Sequence, residues 1–217
     1  MKFFKSLVIL TAAASIAFSV HAKYGYETSY KVTIKNISKG LSFTPLLTAS
    51  HNSAFSVFKI GEQASEHVAR IAEGGDISGL AEQFDSSEYV YTSTHNEGLL
   101  EPGMSVELTL TTTRHHRRLS IISMALPTND TLVALLNKRL PKRHATFFMK
   151  AYDGGTETND ELCANIPGPH CGGTPFSPDD LGEGYIYPSP GIHGEGDLSV
   201  AAYSWQGAVA KVTVERM

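Results

Sequence analysis

The chain has 217 residues, 41% of them hydrophobic and 18% charged, with a formal charge of −4. That is enough apolar material for one sizeable domain. The acidic balance argues against a nucleic-acid partner, because phosphate binding needs a basic face.

In chain order, Met1-Lys-Phe-Phe-Lys5 is a short basic start. Ser6 to Val20 is apolar and small, and Val20-His21-Ala22 resembles a small-residue cleavage site. This is the layout of a secretory signal peptide over residues 1–22, and the apolar run is short for a membrane span. An uncleaved anchor is the alternative. Cleavage leaves residues 23–217 as one exported domain with 16 Lys and Arg against 22 Asp and Glu, a formal charge of −6, and no expected transmembrane segment. No lipid-anchoring cysteine follows the signal, so the product is expected in the periplasm or outside the cell.

Tyr30 to Ile37 alternates apolar and polar residues and predicts a half-buried strand. Leu41 to Ser50 and Ala54 to Ile60 read as extended and apolar. Between Gly61 and Gly75 the residues Ala64, Val68 and Ile71 have helical spacing, and Gly74-Gly75 supplies a stop. A second short helix is expected from Ser78 to Phe84, then a strand over Val90 to Thr94 and a turn at Glu101-Pro-Gly103. Met104 to Thr113 places Met104, Val106, Leu108 and Leu110 on one face. Leu119 to Leu126, Leu132 to Leu136, Ala145 to Tyr152 and Ala208 to Glu215 predict four more strands. Strands joined by short hairpins, with minor helices, point to an all-β antiparallel sandwich.

That order has a topological consequence. If Leu119 to Tyr152 forms an up-down-up meander, Asp130 and Asp153 follow strands ending at the same pole. The preceding strand would bring Glu101 or Glu107 close to them. Carboxylates converging there repel one another unless a cation neutralises them.

From Asp153 to Asp197 the chain carries nine carboxylates and no Lys or Arg, with ten of its 19 Gly and six of its 10 Pro. Such a segment has little apolar surface for a core of its own. Either it is a disordered loop or something positive orders it. Its oxygen donors suit Ca²⁺, which accepts carboxylate, carbonyl and hydroxyl ligands in flexible geometry. Asp153-Gly-Gly-Thr-Glu-Thr-Asn-Asp-Glu161 is the densest part. It is no EF-hand, since the sixth position is Thr158 and the twelfth Ala164. Asp130 and Asp153 are the leading ligand candidates. Glu157, Asn159 and Asp160 either complete the shell or cap the loop through local backbone bonds.

Cys163 and Cys171 are the only cysteines. In an oxidising compartment a disulfide is the default. Two free thiols on a soft metal, with His170 nearby, is the alternative. His115-His116-Arg117-Arg118 reads as a solvated basic turn, with contact to an anionic glycan or lipid head group as the other reading. None of the nine His shows zinc-site spacing. His193 and Asn129 in their loops, and Trp205 with Tyr203, are candidate ligand-surface residues, with loop packing the safer reading of His193 and core or sheet-edge packing that of Trp205. There is no Gly-x-Ser-x-Gly elbow, and a glycosidase pair is disfavoured because a cation would occupy the clustered acids.

The segments Leu119-Ser-Ile-Ile-Ser-Met-Ala-Leu-Pro-Thr-Asn-Asp130, Tyr152-Asp-Gly-Gly-Thr-Glu-Thr-Asn-Asp-Glu161, Ile166-Pro-Gly-Pro169 and Pro190-Gly-Ile-His193 resemble the bacterial branch of the spondin N-terminal domain family, whose animal members include F-spondin and mindin. Phe43-Thr-Pro45, Ser50-His-Asn52 and the helix near Glu66 fit as well. The resemblance implies a C2-like β-sandwich with bound calcium, serving extracellular adhesion or recognition without catalysis. Animal members carry Ser-Pro-Asp-Trp where this chain has Thr128-Asn129-Asp130-Thr131, so the Trp is missing here. The carry-over supports Asp130 and Asp153. By analogy a third acidic ligand comes from the strand before; Glu107 is the candidate and Thr111 is equally placed.

These observations lead to an exported, calcium-binding, non-catalytic recognition or adhesion module whose partner is an extracellular protein or glycan. A calcium-dependent glycan-binding module and a metal-dependent hydrolase are the alternatives.

Overall fold

The computed structural model describes residues 26–177 and 182–217. The signal segment 1–22 lies outside them, as do Asp179 and Asp180. Ten strands occur among the described residues: β1 (Thr28–Asn36), β2 (Ser42–Phe43), β3 (Leu47–His51), β4 (Val90–Thr94), β5 (Ser105–Thr112), β6 (Arg118–Leu126), β7 (Thr131–Arg139), β8 (His144–Asp153), β9 (Tyr187–Pro188) and β10 (Ala208–Arg216). Three helices accompany them: α1 (Glu66–Gly74), α2 (Ser78–Ser86) and α3 (Val200–Tyr203).

The strands form one antiparallel sheet in the order β4-β3-β6-β7-β8-β10-β1-β5, with β2 on β6 and β9 on β8. Its ends nearly meet. Ser50 Oγ on β3 and Thr92 Oγ1 on β4 each donate to the Thr111 carbonyl of β5 at 2.7 Å. The result is a barrel-like sandwich, the all-β antiparallel class that the strand pattern predicts.

Two cores hold it together, and the period-2 alternation of strands explains both. On β6, Leu119, Ile121 and Ala125 enter the main core with Tyr30, Val32 and Ile34 of β1. Ile122 faces the other way, into a second core under the helices. On β7, Val133 and Leu135 join the first core, and Leu132 and Ala134 the second. Strands covered on both faces should read as continuous apolar runs, and every β6 residue after Arg118 is buried.

Helix α1 supplies the second cover. Ser65 caps it by accepting from the Val68 N–H, and Gly75 ends it at φ 68° in the left-handed region. It buries Val68, Ile71 and Ala72 over the sheet. Each of the two larger side chains contributes roughly 1.5–3 kcal/mol. The extended segment expected at 54–60 is irregular instead. Val57 and Phe58 bury into the helix-covered core rather than joining a strand ladder. Met104, expected on the inner face, is 60% exposed and precedes β5.

The meander is present: β6, β7 and β8 are consecutive antiparallel neighbours, with Thr131 opposite Asp153. The ends of β6 and β8 therefore share a pole with the start of β7. Strand β5 departs from the expected topology. It pairs with β1 rather than with β6, three places from β8 in the sheet.

Candidate metal centre

Between β6 and β7 the chain turns through Pro127, Thr128 and Asn129 to Asp130. Thr128 secures that turn by donating Oγ1 to the Ala125 carbonyl at 2.6 Å and accepting from the Thr131 N–H at 3.1 Å. Asp130 is fully buried. Its Oδ2 accepts from the Thr156 N–H at 2.8 Å, the Glu157 N–H at 3.2 Å and the Thr156 hydroxyl at 3.3 Å. Its Oδ1 is buried with no hydrogen-bond partner among the described residues. A buried carboxylate oxygen in that condition is costly and calls for an explanation.

The loop leaving β8 wraps directly over Asp130. Gly154 N–H donates to the Asp130 carbonyl at 3.1 Å. A Cβ on Gly154 would lie 3.2 Å from Asp130 Oδ2 and 2.9 Å from the Ala72 Cβ, so only glycine lets the chain pass here. Asp153 is also fully buried. Its Oδ1 accepts from the Gly155 N–H at 2.9 Å and its Oδ2 from Asn159 Nδ2 at 2.8 Å. Asn159 Nδ2 also reaches Glu183 Oε1 at 3.3 Å, and the Tyr187 hydroxyl bonds Asp153.

The electrostatics follow from this packing. Burial pushes the Asp130 carboxyl up to about 7, and the charge of Asp153 adds to the rise, against the two N–H bonds that lower it. Burial also raises Asp153, with the Glu183 charge adding to it against the bonds from Asn159 and Gly155. Tyr187 is raised by burial and by the Asp153 and Glu183 charges. Two buried carboxylates side by side that both resist ionisation repel each other, and a positive charge between them would relieve that. For Asp130 alone, that shift makes ionisation in the folded form harder than in the free side chain by on the order of 4 kcal/mol.

Among the expected ligands, Asp130, Asp153 and Glu157 come together. Glu157 is buried and gives its N–H to Asp130. Asp160 does not face the pair. Its Oδ1 accepts from Asn129 Nδ2 at 3.0 Å and from the Leu162 N–H at 2.9 Å, while its Oδ2 accepts from Asn165 Nδ2 at 2.5 Å. It therefore caps the loop. Asn129 is buried and clamps the same loop, accepting from the Glu161 N–H at 3.1 Å. Glu107 stands elsewhere, on the outer face of β5. It lies 3.8 Å from Lys31 Nζ and accepts from the Thr33 hydroxyl at 3.4 Å. Thr111 is on the same strand, its carbonyl occupied by Ser50 and Thr92. Glu101, the other expected neighbour, accepts from the Ser42 hydroxyl at 2.5 Å.

His193 turns its side chain to solvent and gives its backbone N–H to Glu161. Trp205 is half-buried against both the main core and a small cluster of Ile166, Ile192 and Leu198. Cys163 and Cys171 are joined in a disulfide with Cα atoms 4.7 Å apart. Their sulfurs are consequently unavailable as thiolate ligands, although His170 lies close by.

Three residues of this pole escaped the sequence reading. Tyr187 opens the short β9 and Glu183 precedes it; the Gly184-Tyr-Ile-Tyr187 alternation leading into it is a faint strand signal. Glu161 is buried at φ 55° and accepts three successive N–H groups, from His193, Gly194 and Glu195, at 2.5, 2.7 and 3.1 Å. Those bonds cross about thirty residues of chain, and no local pattern announces them.

Residues 23–159 match the family model described as Spondin_N. The chain belongs to the Spondin_N family. The match contains both buried aspartates and ends at Asn159, so Glu161, Glu183, the disulfide and β10 lie beyond it. No curated protein sequence matches the chain. Spondin_N membership and the disulfide mark an extracellular module, and no described helix is long and apolar enough to cross a membrane.

The donor set fits a hard cation. It consists of buried oxygens, one of them unpartnered, with no sulfur and no imidazole among them. Asp130 Oδ1 and Asp153, with Glu183 and Asn159 beside them, are the groups able to hold it.

Proposed function

We propose that this Spondin_N module binds one calcium ion at the β6–β7 and β8 ends and uses it to order a recognition surface on the long acidic loop. One observation carries the reading: the buried, unpartnered Asp130 Oδ1 beside a second buried carboxylate. Calcium supplies positive charge there. The chain's own groups do the positioning. Thr156 and Glu157 N–H groups aim Asp130, Asn159 aims Asp153, and Glu161 gathers residues 193–195 beneath the loop.

The role is structural and non-catalytic. Both aspartates are fully buried, which suits a resident ion better than a turning-over substrate. A Ser–His pair does exist, Ser120 Oγ at 2.8 Å from His51 Nε2, but both residues are buried among the strands and His51 Nδ1 is held by the Asn52 carbonyl. The partner is an extracellular protein or glycan. The glycan reading has its own support: Tyr185 is exposed beside the site, with its ring 5.5 Å from that of Tyr187, and exposed aromatic faces stack on sugars.

Calorimetric titration of chelator-treated protein with Ca²⁺ and, separately, Mg²⁺ tests the metal. One Ca²⁺ site, weaker for Mg²⁺ and absent in Asp153→Asn, is expected. Heat indistinguishable from buffer would refute the site. A glycan array read with and without calcium then distinguishes the two kinds of partner.

A further inference from the structure

The pole opposite the aspartates has the reverse character. There β1, β6 and β8 begin and β5, β7 and β10 end. Arg114, Arg117, Lys142 and Arg216 line a cleft of about 280 Å³, together with Tyr26 and Thr28. At the same pole Arg118 opens β6, Arg139 ends β7 and Arg143 precedes β8.

No carboxylate lies within ion-pair distance of the four lining cations among the described residues. The nearest acids are committed elsewhere. Glu27 accepts from the Tyr91 hydroxyl, and Glu215 pairs with Lys31 at 2.9 Å. The frame beneath the cations is nonetheless stitched tight. The buried Tyr30 donates its hydroxyl to the Pro141 carbonyl at 2.7 Å. Leu140 N–H donates to the Arg117 carbonyl at 2.9 Å, and Arg216 N–H to the Arg143 carbonyl at 2.7 Å. The Arg117 guanidinium also donates to the Leu140 carbonyl at 3.4 Å. Backbone bonds therefore fix Arg117 and Arg216 at a hollow that four like charges line, in a chain that is acidic as a whole. Their mutual repulsion is relieved by an anion, and a fixed frame spares the ordering cost of binding one.

We propose that this cleft binds the sulfate or phosphate groups of an anionic saccharide, independently of the calcium site. The cations come from separate segments and converge on a recess, which suits groups projecting from an extended chain rather than a planar bilayer.

The test is calorimetric titration of the protein with a fully sulfated hexasaccharide at low salt, with inorganic pyrophosphate as competitor and anionic vesicles as a separate arm. One saturable site is expected, displaced by pyrophosphate and unchanged by chelator. Arg114→Glu combined with Lys142→Glu should weaken it at least tenfold; both side chains are exposed, and an unchanged melting temperature confirms folding. Lys35→Glu combined with Lys211→Glu makes the same change in net charge on exposed positions facing each other across β1 and β10, and should leave binding within about twofold. Equal loss in the two double variants would overturn the proposal, as would no saturable binding or binding to vesicles alone. Should the double reversal fail to fold, Arg114→Gln with Lys142→Gln serves in its place, with at least a threefold weakening required.

Discussion

The two ends of this sandwich handle charge in opposite ways. At the aspartate pole like charges are buried, their pKa values pushed up, and one oxygen is left with no partner. At the arginine pole like charges stay mostly in solvent, on short turns fastened by backbone bonds. The first end needs a ligand to be comfortable when folded, whereas the second is stable without one. Metal should accordingly change the stability of this protein, and an anion should change little except occupancy.

The sharpest way to break that contrast is to remove a buried carboxylate. Asp130→Asn should abolish the stabilisation by calcium, about 3 kcal/mol at a hundredfold excess over Kd. The metal-free variant should melt no lower than the metal-free parent, since a repulsive charge has gone. Thermal melts with calcium and with chelator read both effects. A smaller loss, roughly 2 kcal/mol, is expected from Glu161→Ala, which strands three N–H groups. Faster amide exchange at residues 193–195, with the β6–β7 ladder still protected, would show that the defect is local.

A third prediction concerns His51, which lies away from the aspartate pole, opposite Arg118 on β6. Burial holds its imidazole below the usual range, with Arg118 and His116 adding to the effect against the Asn52 carbonyl bond. A histidine with a lowered folded pKa contributes stability above its unfolded value near 6.5 and loses it as pH falls. His51→Gln should therefore flatten the loss of stability between about pH 6.5 and pH 5. The smallest effect belongs to the arginine pole. Reversing Arg114 and Lys142 should shift unfolding free energy by no more than about 0.5 kcal/mol by denaturant melts.

Much of the frame was legible because it is local. Alternation in Tyr30–Ile34 and the apolar run Leu119–Leu126, with the short turns between β6, β7 and β8, dictate a meander, and the meander carries Asp130 and Asp153 to one end. The placement of β5 was not legible. Sequence adjacency suggests β6 as its partner, yet its partner is β1, at a separation of some seventy residues, and this is why Glu107 stands apart from the aspartates. The organisation of the acidic loop was equally hidden. Glu161 and Glu183 act through backbone N–H groups and a distant Asn, and such bonds depend on tertiary closure rather than on residue type. Asp160 takes the second of its two expected roles, a cap on the loop that accepts from the Leu162 N–H.

Melting temperature as a function of pH, with and without calcium, tests the central claim most directly. In metal-free protein Asp130 has a folded pKa of about 7 against 3.8 unfolded. Its protonated form therefore favours the fold below about pH 4, and that contribution is lost as pH rises through 7. A cation replaces the proton. The account predicts a calcium-induced rise in melting temperature that is small at pH 5 and several degrees at pH 7.5. A difference between the two curves that is zero at both pH values, or larger at pH 5, would contradict it.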